Sequence, residues 1–219
     1  METPTISWQQ RFFTWSIKYK SLIYWLFRLG YLGVLGVYIL AVNAAFNKNS
    51  DFFTFYYAIG LGYGKFAIVL LGAIILPGIL GRLGVNWPAT RALTFFRRQI
   101  GIMVFLLVAG HYGILKILPI ISGLVDFSPF APFELFGLAA YSIFFIMYLT
   151  SNNLSMKKLG KWWKRIHRLI YLALWLIVFH TGLQSVSVWS VLIFAFALLE
   201  LLSLFYAWNK AQSKKVASI

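Results

Sequence analysis

Six apolar segments, each about long enough to cross a bilayer, are separated by short polar connections along this chain. They cover approximately residues 21–45, 64–82, 99–120, 133–150, 167–185 and 187–207. A transmembrane helix needs about 20 mostly apolar residues, so these segments use most of the 219 residues. With 61% hydrophobic and 11% charged residues, the sequence predicts an all-α integral membrane protein, a six-helix transmembrane bundle.

Basic residues are concentrated on one side of the predicted bundle. Sixteen of the 20 lysines and arginines precede span one, join spans two and three, join spans four and five, or follow span six. Because cytoplasmic loops carry an excess of basic residues, both termini are expected in the cytoplasm. The predicted organisation is an N-terminal segment of residues 1–20, a transmembrane domain of residues 21–207 and a basic cytoplasmic tail of residues 208–219.

The N-terminal segment mixes aromatic and basic side chains from Trp8 to Lys20. This mixture favours a short interfacial helix on the inner leaflet, where it would contact membrane lipid. A solvated basic tail is the alternative. No short apolar core is followed by a small-residue cleavage site, so no removable signal peptide is predicted. The first span is expected to act as its own insertion signal.

Two classes of function are excluded by composition. The net charge of +15 comes from loops between spans, where the positive-inside rule accounts for it, and no soluble basic domain is available to bind a nucleic acid. Cysteine is absent, which excludes disulfides, iron–sulfur ligation, thiolate zinc sites and a cysteine nucleophile.

The three histidines, His111, His167 and His180, lie in or at the edge of predicted spans. Ionisable side chains are costly in a bilayer and are functional candidates there. Spans three and five run in the same direction. His111 lies 13 residues beyond Arg98, and His180 lies 12 residues beyond Arg168. At 1.5 Å per residue, both imidazoles are expected roughly 18–20 Å above the inner basic face.

This equal depth predicts that His111 and His180 are the two axial ligands of one heme iron. Each second ring nitrogen would be oriented by a backbone or side-chain acceptor. A heme with both axial positions filled carries electrons rather than binding oxygen.

Two other interpretations of the histidine pair remain open. The imidazoles can be buried groups that form hydrogen bonds across helices. A metal-transport pathway would normally add carboxylates or thioethers, but spans three and five contain no carboxylate and offer Met103 as their one thioether.

His167 lies 13 residues before His180, a separation of about 20 Å along a helix. That separation fits a second heme stacked below the first. However, the two side chains would share a face only if the helix were locally distorted or tilted, and the matching depth on span three falls near Arg97 and Arg98. The alternative is a surface histidine among basic residues.

One set of motifs resembles the ferric-reductase-like transmembrane family, closest to its MsrQ branch of heme-binding membrane subunits. The motifs are Gly64-Lys65-Phe66-Ala67, Leu76-Pro77, Arg97-Arg98-Gln99-Ile100-Gly101, His111-Tyr112, Lys158-Leu159-Gly160-Lys161-Trp162-Trp163-Lys164-Arg165-Ile166-His167-Arg168, Tyr171 and His180. The resemblance covers roughly residues 64–184.

The resemblance implies one or two b-type hemes in a protein that carries electrons across a membrane. His111 and His180 take the positions of the family's ligands, as does His167 for a second heme. It also implies a flavin and, outside the membrane, a molybdoenzyme as the electron acceptor. No dinucleotide fingerprint is present, so electrons are expected from a separate flavin reductase or from quinol.

Four further polar residues have more than one interpretation. Lys116, five residues beyond His111, is placed to meet heme propionates or to snorkel at a helix end. Arg98 and Arg168 would bind an inner cofactor or simply follow the positive-inside rule. Glu200 is the one acid deep in a predicted span. It carries protons or contacts a neighbouring helix, unless it lies shallower than the prediction places it.

The alternative function is a heme-free membrane scaffold or assembly subunit of a larger complex. A bacterial inner membrane is the expected location, with a thylakoid or organelle membrane as the alternatives.

Overall fold

The structure, a computed structural model, describes residues 7–48 and 51–216, with side chains as far as residue 213. Every regular element in this part of the chain is helical. The helices are α1 (Trp8–Lys18), α2 (Lys20–Phe46), α3 (Tyr57–Arg82), α4 (Pro88–Phe95), α5 (Arg97–Tyr112), α6 (Leu118–Ile121), α7 (Pro132–Leu149), α8 (Asn153–Leu159), α9 (Lys161–His167), α10 (Ile170–Gln184) and α11 (Val188–Val216). Two five-residue π-helical turns, Phe52–Tyr56 and Gly113–Ile117, continue into α3 and α6.

Six segments in the described part are long and apolar enough to cross a membrane. They are Lys20–Phe46, Phe52–Arg82, Arg97–Ile121, Pro132–Leu149, Lys161–Gln184 and Val188–Ser213. The predicted fold class, an all-α integral membrane protein with six spans, is confirmed.

Three span boundaries differ from the sequence prediction. The second span begins at Phe52 rather than at residue 64, because the aromatic stretch before Gly60 is also helical. The fifth begins at Lys161 and is interrupted at Arg168 and Leu169, between α9 and α10. The sixth helix continues to Val216, since the residues after 207 are mostly good helix formers. Residues 217–219 of the predicted tail lie outside the described residues.

The predicted interfacial segment is helical from Trp8 to Lys18. A capping box begins α1, in which the Ser7 hydroxyl accepts from the Gln10 backbone N–H while the Gln10 side chain accepts from that of Ser7. The helix packs against α4. Trp8 remains 70% exposed, as expected for a side chain at a membrane surface.

The bundle core lies around α3, which packs against α5 on one side and α11 on the other. Helix α7 packs against both α10 and α5. The side chains of Leu71, Val104 and Leu174 are almost completely buried at this centre. A second apolar cluster, which contains Ala45, Phe52 and Ile114, closes the end of the bundle near the two π turns.

Glu200 has a partner that the sequence did not reveal. Its carboxylate forms an ion pair with the guanidinium of Arg82, at the end of α3. Arg82 also donates from Nε to the Ser203 hydroxyl at 3.0 Å. Of the roles expected for Glu200, the structure shows a contact with a neighbouring helix.

Candidate functional site

The imidazole rings of His111 and His180 face each other inside the bundle. Their centroids are 6.3 Å apart, and the ring planes meet at 89°. His111 lies near the end of α5, and His180 lies in α10. Residues 69 positions apart in the sequence are therefore brought together inside the bundle.

Each ring is held by a backbone carbonyl of a neighbouring helix. His111 donates from Nδ1 to the Gly60 carbonyl at 2.9 Å, and His180 donates from Nδ1 to the Phe133 carbonyl at 2.8 Å. A carbonyl oxygen can only accept, so Nδ1 carries the proton in both rings. In the neutral imidazole Nε2 is then unprotonated and able to bind a metal ion, which is the arrangement that an oriented metal-ligating histidine requires.

A glycine lies directly against each ring. A Cβ atom at Gly64 would lie 2.8 Å from Nδ1 of His111, and one at Gly137 would lie 2.7 Å from Nδ1 of His180. Both distances are shorter than those that Cβ atoms keep to non-bonded atoms in proteins. The two rings therefore lie against the helix backbone of α3 and α7 in space that any other residue would fill.

Both histidines line one cavity of about 690 Å³, within the size range of cofactor sites. Its inner part is apolar, with Leu71, Val104 and Phe144 among the lining side chains. Its remaining lining includes polar groups such as Gln184 and Ser187. An apolar cavity with a few polar groups suits a largely hydrophobic cofactor that carries polar substituents.

The histidine-bearing helices α5 and α10 make their main contacts with other helices rather than with each other. Helix α5 packs on α3 and α2, and α10 packs on α7 and α11. The cavity therefore lies between α5 and α10, and the π turn Gly113–Ile117 begins two residues after His111. Local π geometry is frequent at functional sites.

Lys116 lines the same cavity, but its charge is already paired. Its Nζ lies 2.9 Å from a Glu134 carboxylate oxygen and 5.1 Å from the centre of the Phe130 ring. The Glu134 carboxylate also accepts from the Ala131 backbone N–H at the start of α7. The pair thus joins the π turn after α5 to the start of α7, a contact that the sequence did not indicate.

His167 lies in a second cavity of about 450 Å³. Its Nε2 is 3.2 Å from the Thr150 hydroxyl, and its ring stacks on Trp163 with centroids 4.2 Å apart. The helix is interrupted at Arg168 and Leu169, directly after His167. Of the two positions expected for His167, the structure shows a partly buried one rather than a solvated surface.

The second cavity is lined by cations and aromatic rings. Arg98 and Arg168 both line it, together with Arg97 and Lys164. Arg98 also donates to the Asn153 side-chain oxygen at 2.9 Å. His167 is the one imidazole in the lining, so the described part of the chain brings no second histidine to it. The two cavities share Leu71, Val104 and Phe144 as lining residues.

Sequence reasoning missed the groups that orient the imidazoles. Gly60, Gly64 and Gly137 were not among the candidate residues, nor was the Phe133 carbonyl. The Gly-x-x-x-Gly spacing of Gly60 and Gly64 was the available signal, because such spacing permits close approach of helices. Nothing comparable marks Gly137.

Six membrane-spanning helices that enclose an oriented imidazole pair define a polytopic membrane protein with a candidate cofactor or metal site inside its bundle. A sequence model of one family matches residues 63–178, which is more than half of the chain. The protein belongs to the family of ferric reductase like transmembrane components.

Three curated relatives are heme-binding subunits MsrQ of protein-methionine-sulfoxide reductases. The protein of Agrobacterium fabrum is 28% identical over 170 residues, which cover 75% of this chain and 68% of the relative. Those of Rhizobium meliloti and Brucella anthropi are 31% identical over 108 residues and 27% identical over 160. These alignments cover 47% and 69% of this chain, but only 46% and 66% of the relatives.

The predicted resemblance to the ferric-reductase-like family, close to MsrQ, is confirmed. The family match and the relatives together support a membrane subunit that takes part in electron transfer.

Proposed function

We propose that this protein carries electrons across a membrane on a heme b whose iron is bound axially by His111 and His180. The observation that carries the proposal is the distance between the two rings. A metal–imidazole bond is about 2 Å long and the ring centre lies about 1 Å beyond the nitrogen, so two imidazoles on opposite sides of one metal have centroids roughly 6 Å apart. The separation here is 6.3 Å.

The shortage of other protein ligands favours a metal whose remaining ligands come from a cofactor. Within residues 7–48 and 51–216, no group of three or more histidine, aspartate or glutamate side chains is placed to hold a metal ion. The sequence has no cysteine. The porphyrin of a heme would supply the four remaining ligands that two imidazoles leave open.

The residues of the site then have separate tasks. His111 and His180 bind, the carbonyls of Gly60 and Phe133 fix their tautomer and orientation, and Leu71, Val104 and Phe144 exclude water from the inner part of the cavity. A heme bound through both axial positions supplies one-electron transfer without an open coordination site. This property fits an electron carrier better than an oxygen-binding protein.

The second cavity gives the proposal a direction. It is lined by cations that the positive-inside rule assigns to the cytosolic face, and the same rule supports a cytosolic location for both termini. We therefore propose that electrons enter near His167 from a flavin reductase, a bound flavin or quinol. They would leave on the opposite side of the membrane, beside the cavity that His111 and His180 line. A second heme at the second cavity would need a ligand other than histidine or one from a partner.

The relatives suggest the setting. They are named as heme-binding subunits of a methionine sulfoxide reductase, so a separate redox protein is the expected partner on the outer side. We propose a molybdoenzyme in that position and a bacterial inner membrane as the location.

The test is a reduced-minus-oxidised absorption spectrum of the purified protein with pyridine-hemochrome quantification. His111→Ala and His180→Ala are each expected to lose the low-spin b-type spectrum. His167→Ala is the matched variant, since it removes the third imidazole but leaves the pair intact.

One heme per chain that is lost with either paired histidine, and retained without His167, is the expected result. A second heme that is lost only in His167→Ala would assign the second cavity, which His167 lines, to heme as well. A folded protein that stays colourless when heme is supplied during expression would refute the proposal and favour a scaffold.

A further inference from the structure

Two helices of unrelated sequence present the same pair of groups to the two imidazoles. On α3, the Gly60 carbonyl accepts from His111, and Gly64 lies against its ring. On α7, the Phe133 carbonyl accepts from His180 and Gly137 lies against that ring. In each case the glycine follows the carbonyl by four residues, which places it on the same face of the helix about one turn along.

The space at these glycines is specific to the rings. The three nearest atoms to a Cβ at Gly64 all belong to His111, and the three nearest to a Cβ at Gly137 all belong to His180. By contrast, a Cβ at Gly62 on α3 or at Gly182 on α10 would have no neighbour within 4 Å. Small size is therefore required at two of these four positions.

We infer that Gly64 and Gly137 are positioning residues that hold the two imidazole planes at right angles across the cavity. This inference rests on the proposed heme function. A methyl group at either position would push the ring away from the helix backbone. Because Nδ1 itself is the nearest ring atom, the ring would have to shift as a whole, which lengthens its hydrogen bond to the carbonyl and changes the angle between the ring planes.

The angle between axial imidazole planes has a spectroscopic consequence. In a low-spin ferric heme it controls how far the iron d orbitals are split, and perpendicular planes produce a strongly anisotropic electron paramagnetic resonance spectrum with one large g value. Parallel planes produce a rhombic spectrum with three resolved g values. The observed 89° therefore predicts the anisotropic type for this protein.

The experiment compares ferric Gly64→Ala and Gly137→Ala with the controls Gly62→Ala and Gly182→Ala in detergent. Heme per chain and the resonance spectrum are measured for all four. We expect the controls to keep the wild-type spectrum. Gly64→Ala and Gly137→Ala are expected to shift toward the rhombic type and to bind heme more weakly by about 10- to 100-fold, as for other losses of ligand orientation. Spectra and heme content indistinguishable from the controls would overturn the inference.

A double-variant experiment keeps the inference testable if a glycine variant folds poorly. Because the clash is with the ring, Gly137→Ala should lower the thermal midpoint in the wild type but not in a His180→Ala background. The same holds for Gly64→Ala with and without His111→Ala. An equal loss of thermal midpoint in both backgrounds would overturn the inference.

The two proposals fail in different ways. A colourless wild-type protein refutes heme binding before any glycine is changed. If the wild type binds heme and both His111→Ala and His180→Ala lose it, the proposed function stands. If Gly64→Ala and Gly137→Ala then have no effect, the positioning role alone is refuted.

Discussion

Replacing Glu200 with leucine would leave the guanidinium of Arg82 without its anionic partner inside the bundle. Removal of one member of a buried ion pair costs about 3–5 kcal/mol. The Arg82 side chain is 21% exposed and keeps its hydrogen bond to Ser203, so Glu200→Leu is expected near the lower value. Arg82→Met, which removes the other member of the pair, should cost more. It would leave the Glu200 carboxylate without its donors, and the Glu200 side chain is only 4% exposed.

The double variant Arg82→Met/Glu200→Leu removes both charges and replaces them with apolar groups of similar volume. Such replacements are often neutral or stabilising, so we expect it to be more stable than either single variant. A recovery of about 3 kcal/mol corresponds to about two powers of ten in the unfolding equilibrium constant. Unfolding would be followed by circular dichroism while sodium dodecyl sulfate is titrated into protein in mild detergent micelles.

Leu201→Ala, at a position that is 50% exposed on the same helix, serves as the control and should change stability by less than about 1 kcal/mol. Additive effects in the double variant would show that the two charges do not act as a pair. Single variants within about 1 kcal/mol of the wild type would equally refute the reasoning.

Two other predictions concern packing and topology. A Cβ at Gly72 would lie 2.5 Å from the Phe196 ring, so Gly72→Ala should destabilise the protein by about 1–3 kcal/mol. In the same unfolding assay, Gly33→Ala, where nothing lies within 4 Å, should be neutral or stabilise it by up to about 1 kcal/mol; equal effects would contradict this prediction. Reporter fusions at both termini should be active on the cytosolic side, and a periplasmic signal from either would refute the assigned orientation.

The six spans were predictable because apolar length is a local property of the sequence. The proximity of His111 and His180 was predictable for a related reason, since helical rise converts residue count into depth. Depth, however, does not specify how a helix is rotated about its own axis. The ion pair between Arg82 and Glu200 depends on that rotation, so it could not be chosen from the sequence among the roles considered for Glu200.

The orienting groups around the histidines were harder still to predict. A backbone carbonyl has no sequence signature, so the acceptors at Gly60 and Phe133 become visible only when helices are placed side by side. The break between α9 and α10 lies in a run of basic and aromatic residues that is compatible with continuous helix. The position of His167 therefore had to come from the three-dimensional structure.

The π turn Gly113–Ile117 has a consequence for comparing chains of different length. A π turn holds one residue more than an α turn does, and the residues on either side can keep facing the same neighbours when that residue is lost. Deleting one residue between Gly113 and Ile117 should therefore leave His111 and Leu118 in place and convert the turn to ordinary helix. Relatives that lack the π turn should be one residue shorter at this point, so an alignment gap belongs after the histidine and before Leu118.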